Sequence, residues 1–310
     1  MPLLSRKRLI LAKAETTYGT DSTPAGADAV LVRNLEITPI ESDIVSRDLI
    51  RPYLGNSQQL LAQSRVGITF QVELAGSGTA GTAPRFGALL KACGLSETVV
   101  ATTSVTYAPV SSSFSSATIY FNNDGVLHKA TGCRGTFQIS CQVGAIPTID
   151  FTMTGIYNAP TDTAAPSVTY SNQAQPVIFK AGNTSGFSLL SYSGCLMSAN
   201  FNMANEIVYR ELVGCTKQVL LTNRAPAGEV MIEAPTIAAK DFFAIAQSDQ
   251  TGALTFTHGT TAGNIVTFNA GQVDITQPSY ADQDGIQMLN VPYVAVPTSA
   301  GNDEVSLAFA

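Results

Sequence analysis

Histidine is the side chain best suited to acid–base catalysis near neutral pH, and it occurs only twice, as His128 and His258. His128 follows Asn122-Asn-Asp-Gly125, a hairpin-turn signal, and His258 precedes Gly259. We expect both imidazoles in solvated loops, away from any carboxylate cluster. The G-x-S-x-G and H-E-x-x-H patterns of hydrolytic sites do not occur. The sequence therefore predicts a protein that is not an enzyme.

Two short motifs partly match ligand-binding loops. The glycine-rich stretch Gly76-Ser-Gly-Thr-Ala-Gly81 lacks the Gly-Lys-Ser/Thr ending that holds nucleotide phosphates. Asp282 and Asp284 have a calcium-like spacing, but the rest of an EF-hand loop is missing. We therefore expect no cofactor and no metal site.

The five cysteines are too few and too irregularly spaced for a disulfide framework or a zinc site. An odd number argues against complete pairing, and the acidic chain carries no signal-peptide pattern. We expect reduced thiols that act as small core residues: Cys93, Cys133, Cys141, Cys195 and Cys215.

The composition points to a protein with much of its surface hidden. Only 13% of the 310 residues are charged, while 45% are hydrophobic, and the charged fraction is about half that of a typical soluble domain. This favours self-assembly, although a secreted β protein with a Ser-, Thr- and Asn-rich exterior is an alternative. The net charge of −6 excludes binding DNA by phosphate neutralisation. No stretch approaches the ~20 apolar residues of a membrane helix, so no membrane partner is expected.

Alternating apolar and polar residues predict antiparallel strands with one buried face. The pattern runs through residues 66–74, 136–143 and 149–154. One short helix is expected over residues 84–94, which begin with Pro84 and end with Gly94. The predicted fold class is therefore mainly β, with short flanking α-helices.

A proline-rich segment divides the chain. Residues 158–176 contain three prolines among Thr, Ser, Ala and Asn, a composition typical of a linker. We place a boundary near residue 165, which gives domains of residues 1–164 and 165–310.

The two halves repeat the same blocks in the same order, which indicates duplication of one fold. The interval between matched blocks shrinks along the chain, as shorter loops in the second copy would require. The matches are Asp43–Leu49 with Glu206–Leu212, Phe70–Glu73 with Val230–Glu233, Phe86 with Phe242, and Gly135, Ile139 and Tyr157 with Gly271, Ile275 and Tyr293.

Five segments carry a resemblance to a known family: Arg47-Asp-Leu-Ile-Arg-Pro-Tyr-Leu-Gly55, Val72-Glu-Leu-Ala-Gly-Ser-Gly78, Pro84-Arg-Phe-Gly-Ala-Leu-Leu-Lys-Ala-Cys-Gly94, Tyr120-Phe-Asn-Asn-Asp-Gly125 and Gly132-Cys-Arg-Gly-Thr136. With these motifs the chain resembles the tail tube (major tail) proteins of phages with long, flexible tails. The likeness covers the first half directly and the second half only through the repeat.

The resemblance implies a β-sandwich or barrel-like domain with one flanking helix and one long loop. Six such domains would join edge to edge into a ring, and stacked rings would form a tube that conducts DNA. A duplicated chain would need three copies, giving a trimeric, pseudo-hexameric ring. The alternative function, suggested by the β-rich composition, is an adhesin or glycan-binding module on a virion or cell surface.

The polar faces of the alternating strands contain no lysine or arginine, which would suit a lumen through which DNA slides without being held. A polar face on any soluble sheet is the alternative. The predicted lumen-facing residues are Thr69, Gln71, Glu73, Thr136, Gln138, Ser140, Gln142, Asp150, Thr152, Thr154, Glu229, Glu233, Gln272, Asp274 and Thr276.

The segment from Thr38 to Ser64 and its counterpart from Met203 to Arg224 are long for loops without a role. By the resemblance, they would reach a neighbouring subunit or ring, and local ion pairing is the alternative. The predicted contact residues are Asp43, Arg47, Asp48, Arg51, Glu206, Arg210 and Glu211.

The resemblance also implies partners and a location. The partners would be other copies of the chain, a tape-measure protein, tail-end proteins (terminator and distal tail or baseplate) and double-stranded DNA that passes without specific binding. The protein would assemble in the host cytoplasm and reside in the virion tail.

Overall fold

The computed structural model describes residues 2–310, which form a mainly β fold with two short α-helices. The first half of the chain contains a 3-10 helix (Gly26–Asp28), one α-helix and ten strands: β1 (Arg8–Ala14), β2 (Ala29–Val30), β3 (Arg33–Val45), β4 (Leu60–Glu73), α1 (Gly87–Ala92), β5 (Leu95–Val100), β6 (Ser104–Pro109), β7 (Ala117–Asn123), β8 (Val126–Gln142), β9 (Thr148–Tyr157) and β10 (Thr161–Asp162).

The second half contains one α-helix and ten further strands: β11 (Thr184–Leu189), β12 (Leu196–Asn202), β13 (Asn205–Arg210), β14 (Gln218–Arg224), β15 (Ala227–Glu233), α2 (Phe242–Ala246), β16 (Gly252–His258), β17 (Val266–Ile275), β18 (Ser279–Gln283), β19 (Ile286–Ala295) and β20 (Ser306–Phe309).

Local sequence explains several of these elements. Asp124 and Gly125, both with positive φ, form the tight turn between β7 and β8. The helix expected over residues 84–94 is α1, whose Leu89 and Leu90 are fully buried. Gly94, at φ +83°, ends it in the left-handed conformation that favours glycine.

The two halves share one strand path. In the first half β3, β4, β9, β8, β7 and β1 pair in that order. In the second half β12, β15, β19, β17, β16 and β11 pair in that order. Each path has its α-helix after the second strand. This repetition supports duplication, and the division into domains of residues 1–164 and 165–310 remains a proposal.

The register corrects the last block of the sequence repeat. Phe70 pairs with Phe151, and its counterpart Val230 pairs with Val291. Met153, rather than Tyr157, is therefore the counterpart of Tyr293. The other two matches of the block are displaced as well: Gly135 pairs with Met153 and Ile275 with Tyr293, so Ile275, rather than Gly271, is the counterpart of Gly135. Ile139 likewise corresponds to Tyr280, because their partners Ile149 and Leu289 are equivalent. The second half interrupts the strand equivalent to β8 between β17 and β18, around Pro278.

A chain of phenylalanine rings joins the cores of the two halves. Phe137 of β8 lies 6.1 Å from Phe201 of β12, and Phe201 lies 5.2 Å from Phe268 of β17. Phe137 also contacts Phe151, with ring centroids 6.2 Å apart. All four side chains are at most 2% exposed. One hydrophobic core therefore spans the whole described chain.

Two sequence predictions about reactive side chains were wrong. His258 lies in β16 at 1% exposure, and the partly buried His128 lies in β8, so neither occupies a solvated loop. Gly259 directly follows β16, so this glycine marks the end of the strand in which His258 lies. Cys195 and Cys215 are exposed, although all five cysteines are unpaired and the other three are buried.

Candidate functional site

Eight antiparallel strands from both halves form one continuous sheet. The order is β3, β4, β9, β8, β12, β15, β19 and β18, with four strands from each half. The join is made by β8 and β12, where Ser140 pairs with Asn200 and Ile139 with Phe201. Side chains alternate between the two faces of a strand, so each face of this sheet continues across the join.

One face of this sheet is polar, opposite the core. In the first half Gln71, Asp150 and Gln138 are direct cross-strand neighbours, and the Gln71 amide donates to the Asp150 carboxylate at 2.9 Å. The row beside it consists of Thr69, Thr152 and Thr136. The register thus places on a single surface the first-half residues that the sequence predicts to face a lumen.

The polar face continues into the second half. Ser140, Asn200 and Glu229 pair across β8, β12 and β15. Asp274 of β17 pairs with Val294 of β19 in the neighbouring row. Apolar residues are more frequent here, since Met231, Pro292 and Val294 occupy positions that are polar in the first half.

Gln272 differs from the other predicted residues. Gly252 pairs with Val273 and Leu254 with Ala270, so β17 contains a bulge at residues 271–272. Simple alternation therefore does not fix the face of Gln272. Thr276 lies just beyond β17, where its backbone N–H donates to the Pro292 carbonyl at 3.0 Å.

The polar face forms a shallow depression of about 720 Å³ lined by both halves of the chain. Its lining includes one basic residue that the alternating strands did not reveal, Arg33 of β3. Arg33 lies 3.8 Å from the carboxylate of Glu73, which offsets its charge. Glu229 and Asp282 also line the depression, so its formal charge is negative.

The segment predicted as a long loop, Thr38 to Ser64, is mostly a hairpin arm. β3 and β4 remain paired to Val45 and Leu60, which leaves residues 46–59 as the tip. We call residues 39–65 the arm. Its large apolar side chains are at least 47% exposed, and Ile50 and Leu54 are fully exposed: Ile40, Ile44, Val45, Leu49, Ile50, Tyr53, Leu54, Leu60 and Leu61. Exposed apolar clusters of this kind mark interaction sites.

The counterpart of the arm in the second half, the hairpin of β13 and β14, packs on the first half. The Asn205 side chain donates to the carbonyls of Cys93 and Gly135 at 2.7 and 2.9 Å. The Arg134 guanidinium donates to the Val219 carbonyl at 2.9 Å. Val219 is completely buried. The same type of hairpin is therefore covered in one half and exposed in the other.

The predicted contact residues divide between these two hairpins. Asp43, Arg47, Asp48 and Arg51 lie on the arm, where Asp43 is 3.7 Å from Arg65. Within residues 2–310, Arg47, Arg51 and Arg210 have no carboxylate within 4.0 Å. In the second half, Glu206 and Arg210 lie on β13, and Glu211 pairs locally with Lys217 at 3.1 Å.

Residues 2–310 contain no group of three or more His, Cys, Asp or Glu side chains positioned to hold a metal ion. They also contain no helix that is long and apolar enough to cross a membrane. The described residues present three surfaces that other chains can contact: a continuous polar sheet face, two sheet edges and an exposed apolar arm. Together they define a β protein built to associate with other chains.

The comparison with known families agrees with this class. A family model described as phage tail tube protein matches residues 5–309. The match covers nearly the whole chain, so the protein belongs to the phage tail tube family. A search of curated proteins found no matching relative. The resemblance and the mainly β fold class are confirmed, and the protein is a structural subunit of a virion tail that assembles with itself.

Proposed function

We propose that three copies of this chain close into a pseudo-hexameric ring, that rings stack into a tube, and that the polar face lines its lumen. The observation that carries this proposal is the pairing of β8 with β12, which joins the sheets of the two halves of the chain edge to edge. Repeating that join between chains would add identical sheets until the ring closes and removes the remaining edges.

The dimensions support a channel for DNA. Each chain contributes eight strands to the sheet, so three chains give a barrel of twenty-four. At ~4.8 Å between strands the circumference is about 115 Å and the backbone diameter about 37 Å, which strand tilt increases further. Barrels of even sixteen to eighteen strands leave an aqueous channel.

The charge of the polar face suits passage rather than binding. A lysine or arginine near each phosphate would release counterions and strengthen DNA binding. Here Gln71, Gln138 and Ser140 offer hydration, and Arg33, the arginine of the depression, is next to Glu73. Arg134 pairs with Thr154 on the same face, but its guanidinium is bound to the Val219 carbonyl of the hairpin that packs there. Like charges on the wall and the DNA would keep the duplex away from the wall.

The proposed tube would have partners in its lumen and at its two ends. The lumen would hold a tape-measure protein before ejection and conduct double-stranded DNA during it. The tube ends would contact the terminator and the distal tail or baseplate proteins. The subunits would assemble in the host cytoplasm before they reside in the virion tail.

Negative-stain electron microscopy of the purified protein across a concentration series tests the proposal. We expect rings or hollow tubes with threefold or pseudo-sixfold end views. Discrete single subunits at every concentration would contradict it and would favour the adhesin or glycan-binding alternative.

A further inference from the structure

The continuous sheet ends at two unpaired edges. Among residues 2–310, β3 pairs only with β4, and β18 pairs only with β19. Glu36 and Tyr280, in these edge strands, are exposed. Unpaired edges are templates for pairing with another chain unless they are blocked. One edge belongs to the first half of the chain and the other to the second half.

The internal join shows how such edges fit. Two residues occupy corresponding positions in the two halves when their strand partners are equivalent. Glu36 pairs with Thr69, and Asn200 pairs with Glu229, the second-half equivalent of Thr69. Ser140 pairs with Thr148, and Ala281 pairs with Met288, the second-half equivalent of Thr148. β3 therefore corresponds to β12, and β18 corresponds to the end of β8. These are the two strands that pair inside the chain.

We infer that β18 of one copy pairs antiparallel with β3 of the next copy, in the register that places Glu36 opposite Ala281. In the same register Ile37 lies opposite Tyr280 and Thr38 opposite Ser279. These pairs repeat the internal pairs Asn200–Ser140, Phe201–Ile139 and Asn202–Gln138. This inference rests on the proposed ring and specifies its interface.

The side-chain pattern agrees with that register. Tyr280 contacts Phe243 of α2 with ring centroids 5.3 Å apart, so it lies on the core side of the sheet, as does the half-buried Ile37. Glu36 and Ala281 lie on the opposite, polar face. Pairing with β4 fixes the face of each β3 side chain. A slip of one residue between copies would therefore place Ile37, on the core side, opposite a polar-face residue of β18.

The same pairing between copies would also place the arm against a surface of the neighbouring copy. The hairpin that follows β12 packs on the first half through Val219 and Asn205. The arm follows β3 as that hairpin follows β12, so it would lie on the second half of the neighbouring copy. Ile44, Leu60 and Leu61, all exposed by at least half in the isolated chain, would then be covered.

Cysteine cross-linking tests the register. The parent carries Cys195→Ser and Cys215→Ser, because both thiols are exposed. The test variant adds Glu36→Cys and Ala281→Cys, and a register control adds Glu36→Cys and Asp282→Cys. A matched chemical control adds Ser140→Cys and Asn200→Cys, the equivalent pair within one chain. Each variant is first scored for assembly by electron microscopy and then oxidised and run on a non-reducing denaturing gel.

We expect Glu36→Cys/Ala281→Cys to give dimers and trimers severalfold more abundant than those of the register control. The Ser140→Cys/Asn200→Cys chain should close an internal bridge and remain a single chain. Rings or tubes that form normally but cross-link better in the register control would overturn this inference and leave the proposed function intact. Absence of any assembly in the parent would overturn both.

Discussion

His258 connects three segments of the second half. Its Nδ1 lies 2.9 Å from the Thr184 hydroxyl of β11, and its Nε2 lies 3.2 Å from the Val177 carbonyl of the preceding segment. Burial lowers the pKa of His258 below its usual value, and the Val177 carbonyl only partly opposes this effect. A structural role in the neutral form accounts for the burial of this histidine.

The lowered pKa predicts a pH-dependent stability. The unfolded chain takes up a proton on this side chain at about pH 6.5, before the folded chain does. The stability that neutral His258 contributes is therefore fully present above about pH 6.5. It is lost as the pH falls toward the lowered pKa of His258 in the folded chain. We expect urea denaturation to show a steeper loss of stability between pH 7 and 5 in the wild type than in His258→Gln. Equal slopes would contradict this assignment.

Arg224 and Glu304 form the most buried ion pair within residues 2–310, with side chains only 12% and 7% exposed. Arg224 also donates to the Val110 carbonyl at 2.6 Å and thereby links the second-half hairpin to the first half. We expect Arg224→Ala to lower the free energy of unfolding by about 3 kcal/mol or more, because the buried Glu304 loses its partner.

A matched variant separates this effect from general charge loss. Lys217 pairs with Glu211 on the same hairpin, but the two side chains are 47% and 33% exposed. Lys217→Ala should change the unfolding free energy by less than about 1 kcal/mol. Equal effects of the two substitutions in chemical denaturation would refute the role given to Arg224.

The arm is the element most exposed in the isolated chain. We expect Ile50→Ser/Leu54→Ser to abolish tubes without loss of stability, because both side chains are fully exposed at the tip. Sedimentation measures assembly, and thermal unfolding measures the fold. Tubes of normal length from this variant would show that the tip makes no contact between copies.

The arm charges allow a separate prediction. Arg47 has no local carboxylate partner within residues 2–310, so we propose that it pairs with a carboxylate of another copy. Arg47→Glu should therefore raise the concentration needed for assembly, whereas Arg47→Lys should change it little. Unchanged assembly of Arg47→Glu would instead place this side chain in solvent.

Sequence patterns predicted the elements unevenly. Strict alternation identified the polar face of β4, β8 and β9, and Asp124-Gly125 identified the β7–β8 turn. The second half was harder to predict because Met231 and Pro292 break the polar pattern. The β8–β12 join and the position of Arg33 depend on pairing between distant residues, which no local pattern encodes.

The whole molecule contains one join between its halves, β8 with β12, and two unpaired sheet edges, β3 and β18. In the proposed ring each of these edges would pair with a neighbouring copy, and the polar face would line the lumen. A lumen-facing position should then lose access to bulky reagents on assembly. We expect Gln138→Cys, in a Cys195→Ser/Cys215→Ser parent, to react with a protein-sized maleimide in free subunits but not in tubes. Thr102→Cys, in the turn of the β5–β6 hairpin, should react in both states. Equal reactivity of Gln138→Cys in both states would place the polar face outside.

In the proposed tube, three copies close the sheet around a channel lined by its polar face. Helical reconstruction from electron cryomicroscopy of assembled tubes tests it most directly. We expect rings of three chains, a continuous twenty-four-stranded inner barrel, and Gln71, Gln138 and Glu229 facing an open lumen. Tubes whose inner wall is formed by another surface, or rings in which β3 and β18 remain unpaired, would contradict it.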